Sequence, residues 1–300
     1  MEYFFKTIWP LIKKIGIDYF ALLGICWTIK EVTVYLLAQY ENTIKCIFSI
    51  SILLGFIIVL FKDKPKKEYV FNIKDRDIKI ILKIGDIIKE KFAIVVPTNT
   101  TFDTKMENDF ISIKSVQGQV QDKYFKNNIS TLDYLMEKEL ENRPFIELTD
   151  RKDSKNKKYE IGTTVEINQN GKRFYFLADS DINLKGQTIK PSTMNITDSL
   201  SRLWQYIGEF GHVEPIAIPI IGTGRMGIVS SREEILKNII FSFVANNTTK
   251  KIATELIIYI RKEDIKKYNI DINEIIEYMK FTCKYQYEKL DNAKNGIGIE

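Results

Sequence analysis

The feature that most constrains this chain is an uncharged apolar run near the N-terminus, from Cys46 to Phe61. A helix rises about 1.5 Å per residue, so this run, extended back to Ile44, nearly matches a bilayer core of roughly 30 Å. The lysine-rich sequence KDKPKK follows it at once. A buried helix of a soluble protein is the alternative, but such a helix is seldom apolar on all sides and flanked directly by charge. The run therefore predicts a membrane-spanning helix.

A second apolar stretch, Tyr19 to Ala38, is also long enough to span but carries Lys30 and Glu31 in its middle. Charges there are costly unless they are paired or face other helices. One interpretation makes it the first arm of a hairpin that turns at Glu41 to Thr43, with the charges directed at another helix or another copy of the chain. In the other interpretation, a shorter helix begins near Ile15 and ends at these charges. The hairpin interpretation suggests a homo-oligomer.

Apolar residues before the hairpin recur at helical spacing and predict an interfacial amphipathic segment, with Pro10 as a candidate interruption. No signal-peptide cleavage pattern follows them, so we expect the segment to be retained. Lysines flank both ends of the hairpin, and the positive-inside rule then places both termini in the cytoplasm of a multi-pass inner-membrane protein. The apolar positions are Phe4, Phe5, Ile8, Leu11, Ile12 and Ile15; the lysines are Lys6, Lys13, Lys14, Lys62, Lys64, Lys66 and Lys67.

Composition excludes several classes of site. The single histidine, His212, excludes histidine-rich catalytic zinc centres, and the three distant cysteines offer neither a disulfide framework nor a CxxC metal site. A net charge of +5, from 44 Lys plus Arg against 39 Asp plus Glu, does not require a nucleic-acid partner. We divide the chain into the membrane segment 1–61, a basic linker 62–77, a soluble domain 78–290 and a tail 291–300.

Strand-like and helix-like segments alternate through the soluble part, which predicts an α/β domain in three layers. The Asn170-Gly171 turn joins two strand-like segments and favours a hairpin, so the sheet should be mixed. Asp150 to Lys158 has the composition of a charged surface loop. Predicted strands are 91–99, 164–168, 172–179, 214–222 and 255–261; predicted helices are 129–141, 197–211, 231–247 and 273–290.

The most informative segment joins an apolar strand, through a glycine-rich turn, to a helix that Ser231 and Glu234 can begin as a capping box. Glycines let backbone N–H groups approach a diphosphate closely, so the turn is a candidate phosphate cradle. A Rossmann loop would open its helix directly and be followed by an acidic residue, which is lacking near Asn246; a purely structural turn is the other alternative. The cradle residues are Ile221, Gly222, Thr223, Gly224, Arg225, Met226 and Gly227.

A second cluster lies early in the domain, where Gly85-Asp86-Ile87 precedes a strand that ends at Asn99, Thr100 and Thr101. An aspartate near a strand start can accept from an adenine amino group, and an asparagine at the carboxyl end of a strand can hold a ribose hydroxyl. Ordinary turn formation explains both groups of residues about as well.

Taken together, these segments resemble the macro domain family over residues 78 to 280. Its GDI turn, its AIVNAAN strand and its P-x-I-G-T-G-x-x-G loop are similar to Gly85 to Ile87, Ala93 to Asn99 and Pro219 to Gly227. The resemblance implies that Asp86 contacts adenine, Asn99 the distal ribose, and the glycine loop the diphosphate of an ADP-ribose derivative.

The segment after Asn99 departs from the usual macro domain pattern. Family enzymes carry a glycine-rich loop after the asparagine, whereas this chain has a long segment containing Ser115, Gln117, Gly118 and Gln119, which puts hydrolase activity in doubt. The segment looks like the variant macro domains of bacterial defence loci, and the whole architecture is similar to the transmembrane effectors of type II Thoeris anti-phage systems. That likeness implies a TIR-domain protein that makes an ADP-ribose conjugate of an amino acid such as histidine.

We therefore expect a sensor rather than an enzyme: a cytoplasmic domain that binds a nucleotide signal, and a hairpin that assembles in the bilayer and damages it. No catalytic residue, cofactor or metal is predicted, and His212 is assigned a structural role. The alternatives are a membrane-tethered ADP-ribosyl hydrolase and a membrane protein that binds poly-ADP-ribose or RNA; the modest charge disfavours the last.

Overall fold

The computed structural model describes residues 9–36, 38–62, 67–74, 76–106, 111–126, 128–149, 151, 155–183, 189, 192–222, 230–247 and 250–286, without the side chains of 9–12, 14–15, 38, 41, 56, 58–62 and 286. The chain divides into two compact units, Met1–Lys66 and Lys67–Glu300. Each unit is described separately below.

The N-terminal unit is a helical hairpin. Helix α1 spans Trp9–Leu36, a 3-10 turn spans Ala38–Tyr40, and α2 spans Glu41–Lys62. Among the described residues, one stretch, Gly16–Leu36, is long and apolar enough to cross a membrane, and none of it is buried; Asn42–Gly55 is a shorter apolar stretch. The whole of the predicted run 46–61 lies in α2, and the side chains of 56 and 58–61 are outside the described set.

Helix α1 corrects three details of the sequence interpretation. It passes through Lys30 and Glu31 without a break, so the interpretation that these charges end a shorter helix is wrong. The turn precedes Glu41 instead of starting there. Pro10 lies in the first helical turn, where no backbone N–H is required, so it does not interrupt the helix. Residues 1–8 of the amphipathic segment lie outside the described residues.

The adjacent charges Lys30 and Glu31 of α1 are neutralised locally. Lys30 Nζ donates to Glu31 Oε1 at 2.8 Å, and it lies 4.4 Å from the ring centre of Trp27 and 5.7 Å from that of Phe48 on α2. The lysine therefore contacts the other arm of the hairpin, as the hairpin interpretation expects of a charge inside an apolar helix.

The second unit is built on a seven-stranded mixed sheet in the order β1-β2-β9-β8-β3-β7-β6. Its five inner strands are parallel, and β1 and β6 close the two edges in antiparallel orientation. The strands are β1 Glu68–Asn72, β2 Lys79–Ile84, β3 Ala93–Asn99, β6 Thr164–Gln169, β7 Lys172–Ser180, β8 Ile216–Pro219 and β9 Glu255–Ile260, with a separate small hairpin of β4 Ile146–Glu147 and β5 Lys157–Lys158.

The strand sequences account for this arrangement. The central residues of the inner strands are apolar, as expected where helices cover both faces of a sheet, and β8 is buried throughout. The predicted hairpin between β6 and β7 is confirmed: Asn170 and Gly171 both have positive φ, 52° and 72°, as a two-residue hairpin turn requires.

Helices complete the three layers. A core cluster joins α3 and α4 to one face of the sheet through Val120, Leu132 and Phe174 among others. On the other face Trp204 of α5 packs edge-on against Phe243 of α6. The mixed three-layer fold expected from the sequence is confirmed. The helices are α3 Val116–Tyr124, α4 Ile129–Leu140, α5 Thr193–Phe210, α6 Arg232–Asn247, α7 Lys262–Lys267 and α8 Ile272–Phe281.

Some segments differ from the sequence interpretation. The predicted linker 62–77 contains the edge strand β1, whose short alternating sequence EYVFN pairs with β2. Strand β2 and helices α3 and α7 were not predicted. The charged segment 150–158 is not wholly a surface loop, because Arg151 is buried with its side chain 4% exposed. The tail 291–300 lies outside the described residues.

Candidate functional site

A cleft of about 230 Å³ opens in the second unit at the carboxyl ends of the parallel strands. Ligands commonly bind at the carboxyl ends of the strands in an open α/β sheet, because the loops diverge there and leave a crevice. Its lining comprises Gly85, Asp86, Ile87, Pro97, Thr98, Asn99, Ile111, Ser112, Ser115, Val116, Gln117, Gln119, Asp179, Ser180, Pro219, Ile220, Gly222, Tyr259, Arg261 and Asp264.

At the end of β3, Asn99 is the centre of a tight turn. Its Oδ1 accepts from the backbone N–H groups of Thr101 and Asp103 at 3.2 and 3.1 Å. Its Nδ2 donates to Asp103 Oδ2 at 2.8 Å, and Arg151 Nη2 donates to the same oxygen at 2.8 Å. The carboxamide is therefore oriented by a buried ion pair, and its second N–H has no partner among the residues that the structure describes.

Helix α3 holds the segment that follows this turn. Gln117 Nε2 donates to the Asp103 carbonyl at 2.7 Å, and Gln121 Nε2, one turn later, donates to the Thr104 carbonyl at 2.6 Å. The helix begins at the N-cap Ser115, whose Oγ accepts from Gly118 N at 3.0 Å. Gln117, predicted to bind ligand, thus uses its amide mainly to fix the loop.

The end of β7 places a carboxylate on the cleft. The register of β3 against β7 shifts between Thr98 and Asn99, which face Ala178 and Ser180, so Asp179 is the extra residue of a bulge. Asp179 is 2% exposed. Its Oδ2 accepts from Gly222 N at 2.7 Å and its Oδ1 from Ser180 Oγ at 3.0 Å.

Burial dominates the electrostatics of Asp179. It raises the pKa of the carboxyl to about 6, and the hydrogen bonds from Gly222 N and Ser180 Oγ oppose the rise only in part. No described cation forms an ion pair with this carboxylate. Gly222 itself has a φ of 67° and is buried, so the first residue of the glycine loop occupies a conformation that favours glycine.

The other end of the cleft combines a carboxylate with an aromatic ring. Asp86 caps a 3-10 turn by accepting from Ile88 N at 3.1 Å and is itself exposed. Tyr259 on β9 lies beside Gly85 and donates from its hydroxyl to Glu90 Oε2 at 2.7 Å. Burial, followed by this bond, raises the pKa of Tyr259.

Comparison with known proteins fixes the family. The family model described as "Thoeris protein ThsA, Macro domain" matches residues 80–261, which is more than half of the chain. This chain belongs to that family.

Solved macrodomains from Oceanobacillus iheyensis are similar at low identity. A mutant of that protein is 12% identical, covering 72% of this chain and 97% of its own, with a TM-score of 0.48. The structure titled with ADP is 13% identical, covering 74% and 97%, with a TM-score of 0.45. Comparison with curated proteins gave no match.

The ThsA-type match runs from the start of β2 to just beyond the end of β9, so it contains the strands that form the cleft and excludes α1 and α2. Seven of the residues predicted for a macro domain ligand meet at this cleft: Asp86, Ile87, Asn99, Ser115, Gln117, Gln119 and Gly222.

Three other predicted residues that the structure describes do not line the ThsA-type cleft. Thr100 and Ile221 are fully buried, and Gly118 faces the 112–113 backbone, where a Cβ would lie 2.2 Å from Ser112 O. Thr223, Gly224, Arg225, Met226 and Gly227 lie outside the described residues. His212 is exposed and precedes β8, so it lies at the amino end of that strand, whereas the cleft is at the carboxyl ends.

Sequence reasoning missed Asp179, Tyr259, Arg261 and Asp264. Arg261 Nε donates to Asp264 Oδ2 at 3.0 Å, so this pair at the rim is largely self-neutralised. Tyr259 lies in a predicted apolar strand, but it comes beside the GDI turn only through the pairing of β9 with β2, a strand that was not predicted. Asp179 had no sequence signal beyond its place at a strand end, since the bulge that turns it to the cleft is not visible in the sequence.

Proposed function

We propose that this ThsA-type macro domain is the sensor of a membrane-anchored effector, and that its cleft binds a nucleotide of the ADP-ribose class. The observation that carries the proposal is the cleft itself: it lies at the carboxyl ends of β3, β7, β8 and β9 and ends at Gly222, where the glycine loop begins. Glycine turns of this kind present N–H groups to phosphate.

The two ends of the cleft suit the two ends of such a ligand. Asp86 and the ring of Tyr259 offer an acceptor and a stacking face for a purine base. Asn99 and Ser180 offer hydrogen bonds to ribose hydroxyls, and Gly222 marks the end of the cleft at which we expect the diphosphate. The ligand on this proposal is a soluble signal and not a permanent cofactor.

Membrane anchoring is supported by the first unit. Helix α1 exposes its large apolar side chains, with Phe20 72% and Leu36 70% exposed. Such a surface is unfavourable in water at about 25 cal/mol per Å², so the hairpin requires a lipid or protein cover. We assign the cover to the inner membrane, with both termini in the cytoplasm.

The effector step on this proposal is self-assembly. Two helices are too few to enclose a pore, so several copies must meet in the bilayer to damage it. A TIR-domain protein supplies the nucleotide after infection, and ligand binding favours the assembled state. Light scattering of the detergent-solubilised chain tests this: a larger mass is expected with ADP-ribose conjugates, and an unchanged mass at saturation rejects ligand-driven assembly.

Calorimetry with ADP-ribose tests the binding site, with two matched glycine variants. Gly222→Ala and Gly171→Ala both place a side chain at positive φ, at a similar backbone cost of roughly 1–2 kcal/mol. Only Gly222 lines the cleft. We expect Gly222→Ala to weaken binding about tenfold or more, equivalent to about 1.4 kcal/mol, and Gly171→Ala to leave it unchanged. Equal affinity in both variants removes the glycine loop from the site.

A hydrolase is the second candidate, and Asp179 is the observation that favours it. A carboxyl with a pKa near 6 on a cleft can serve as a general acid or base at neutral pH. Assay of ADP-ribosylated peptide with the wild type and Asp179→Asn separates the two functions. Release of ADP-ribose by the wild type alone supports the enzyme.

A further inference from the structure

Strand β1 is one edge of the seven-stranded sheet, and its backbone groups face two ways. Ile84 N donates to Lys67 O at 2.7 Å, which makes these two residues a hydrogen-bonded pair of the antiparallel ladder. Such pairs alternate along a ladder, so the odd-numbered residues of β1 bond to β2. The even-numbered residues direct their N–H and C=O groups away from the sheet: Glu68, Val70 and Asn72. Within the described part of the chain, no group bonds to these outward-facing groups.

The open part of this edge is short and has an apolar centre. The next outward N–H, that of Lys74, donates to the Cys283 carbonyl at 3.1 Å, so the open part is 68–72. Val70, at its centre, is 49% exposed. Natural edge strands commonly discourage pairing with another chain by a proline, a lysine or a bulge. The sequence EYVFN contains neither proline nor lysine, and its register with β2 is regular.

The opposite edge, β6, is protected at its centre. Ala178 N donates to Thr163 O at 3.0 Å, and the same alternation makes Glu166 an outward-facing residue. Its backbone is hydrogen-bonded to the Tyr206 hydroxyl. Its carboxylate is paired with Arg173 Nε at 2.7 Å. A second copy paired about Glu166 would displace the tyrosine and place two like charges directly opposite each other, which is unfavourable.

We propose that β1 is an interaction surface for the β1 strand of a second copy of this chain, paired antiparallel about a two-fold axis at Val70. The proposal goes beyond the proposed function and needs no nucleotide. Val70 then faces the same residue of the second copy, and Glu68 faces Asn72. Tyr69 faces Phe71. Every outward backbone group of 68–72 gains a partner, the central pairs are apolar or aromatic, and no like charges lie opposite each other.

The bond between Lys74 and Cys283 selects this register. An axis at Phe71 would pair Glu68 with Lys74, and an axis at Asn72 would pair Val70 with Lys74. Both need the N–H that already donates to the Cys283 carbonyl. The axis at Val70 uses all the open groups and leaves that bond intact. Because the ladder is only five residues long, we expect a dimer whose population depends on protein concentration.

A charge exchange at Val70 tests the axis directly. Val70→Lys and Val70→Glu each place two like charges opposite each other, so each variant alone should remain a single chain. An equimolar mixture places lysine opposite glutamate and should restore the dimer. Light scattering of the full-length chain in detergent, without nucleotide and over a concentration series, gives the protein mass. The wild type should rise from the mass of one chain to that of two.

A matched control and a second measurement accompany the exchange. Asn168→Lys adds the same charge at an exposed outward position of β6 and should assemble like the wild type. Hydrogen exchange of the wild type needs no substitution. Peptides that contain 68–72 should exchange more slowly at high protein concentration than at low concentration, whereas peptides from β6 should not change.

The outcomes are separable. A concentration-dependent dimer of the wild type and of Asn168→Lys, lost in both Val70 variants and restored by mixing them, supports the inference. A wild type that stays a single chain, a Val70→Lys variant that still dimerises, or a mixture that does not, overturns it. If the Val70 variants do not fold, exchange of 68–72 in the wild type decides: protection that is independent of concentration overturns the inference. Failure to bind ADP-ribose overturns the proposed function and leaves this interface untouched.

Discussion

Two buried carboxylates, Asp103 and Asp179, lie close to Asn99, and they differ in the charge of their hydrogen-bonding partners. Asp103, on the loop after β3, is 2% exposed and meets the guanidinium of Arg151, itself 4% exposed. Asp179, on the bulge of β7, is equally buried but meets only neutral donors among the described residues. Asp103 is therefore part of an ion pair, whereas Asp179 lines the cleft without a described cation and can interact with a bound ligand.

The difference separates a structural role from a functional one. A buried ion pair with further hydrogen bonds holds a segment in one geometry, and here it orients the Asn99 carboxamide. A buried carboxylate without a cation lowers stability, and such groups concentrate at functional sites. Removing the first should therefore destabilise the fold, and removing the second should stabilise it.

Arg151→Met should give the largest effect. It leaves Asp103 buried without its cation, which costs about 3–5 kcal/mol of unfolding free energy. Urea unfolding of residues 67–300 measures it. Lys126→Ala, which breaks an exposed pair with Asp122 at 3.3 Å, is the control and should cost less than about 1 kcal/mol. Adding Asp103→Leu to Arg151→Met should restore much of the loss; a double variant no more stable than the single one contradicts the ion-pair interpretation.

Asp179→Asn should act in the opposite direction. The folded pKa of about 6 exceeds the ordinary value of 3.8, so the wild type loses stability as pH rises from about 4 through 6. The variant lacks this loss and should be more stable by roughly 2–3 kcal/mol at pH 8, with a much smaller difference at pH 4. Thermal unfolding at both pH values checks the sign. A variant less stable than the wild type at pH 8 places Asp179 with the structural carboxylates.

Gly118→Ala tests the helix that secures the Asp103 side. A Cβ would lie 2.2 Å from Ser112 O and 2.7 Å from Ile113 Cα, both backbone atoms that cannot turn away. Overpacking of this kind costs about 1–3 kcal/mol. Gly85→Ala is the matched control on the same cleft, since its nearest atom is Tyr259 Cε1 at 3.8 Å. Equal stability of the two variants indicates that α3 yields easily and does not clamp the loop.

The fold and part of the cleft could be predicted from the sequence, but the partners of these two carboxylates could not. Apolar runs and the Asn170-Gly171 turn predicted the central strands and the mixed sheet, because local pattern and burial agree there. Asn99, Asp86 and Gly222 came from motifs, and they meet at one cleft. The fully buried pairing could not be predicted, since Arg151 sits in a charged run that composition assigns to solvent.

The missed elements have physical causes as well. Strand β1 is a five-residue edge strand directly after the lysine-rich segment, and so short an alternating sequence is a weak signal, so the sequence interpretation includes it in the linker. Helix α3 is weakly apolar, because two of its buried side chains are the glutamines that bind the 103–104 carbonyls. Long-range polar contacts of this kind produce no periodic pattern in the sequence.

Ser180→Ala should give the smallest effect and the finest test of the Asp179 side. Ser180 Oγ donates to Asp179 Oδ1 at 3.0 Å, and this bond lowers the pKa of the carboxyl. Its loss should raise the pKa of Asp179 further, which lowers stability at pH 8 by on the order of 1 kcal/mol, the usual size of one hydrogen bond, and has little effect at pH 4, where Asp179 is protonated. Ser199→Ala is the control, because Ser199 Oγ donates to backbone carbonyls, that of Asn195 at 2.7 Å and that of Ala178 at 3.4 Å, instead of to the carboxylate. Unfolding free energies at the two pH values decide the matter: an equal loss at pH 4 and pH 8 shows that Ser180 contributes packing and does not act on the charge of Asp179.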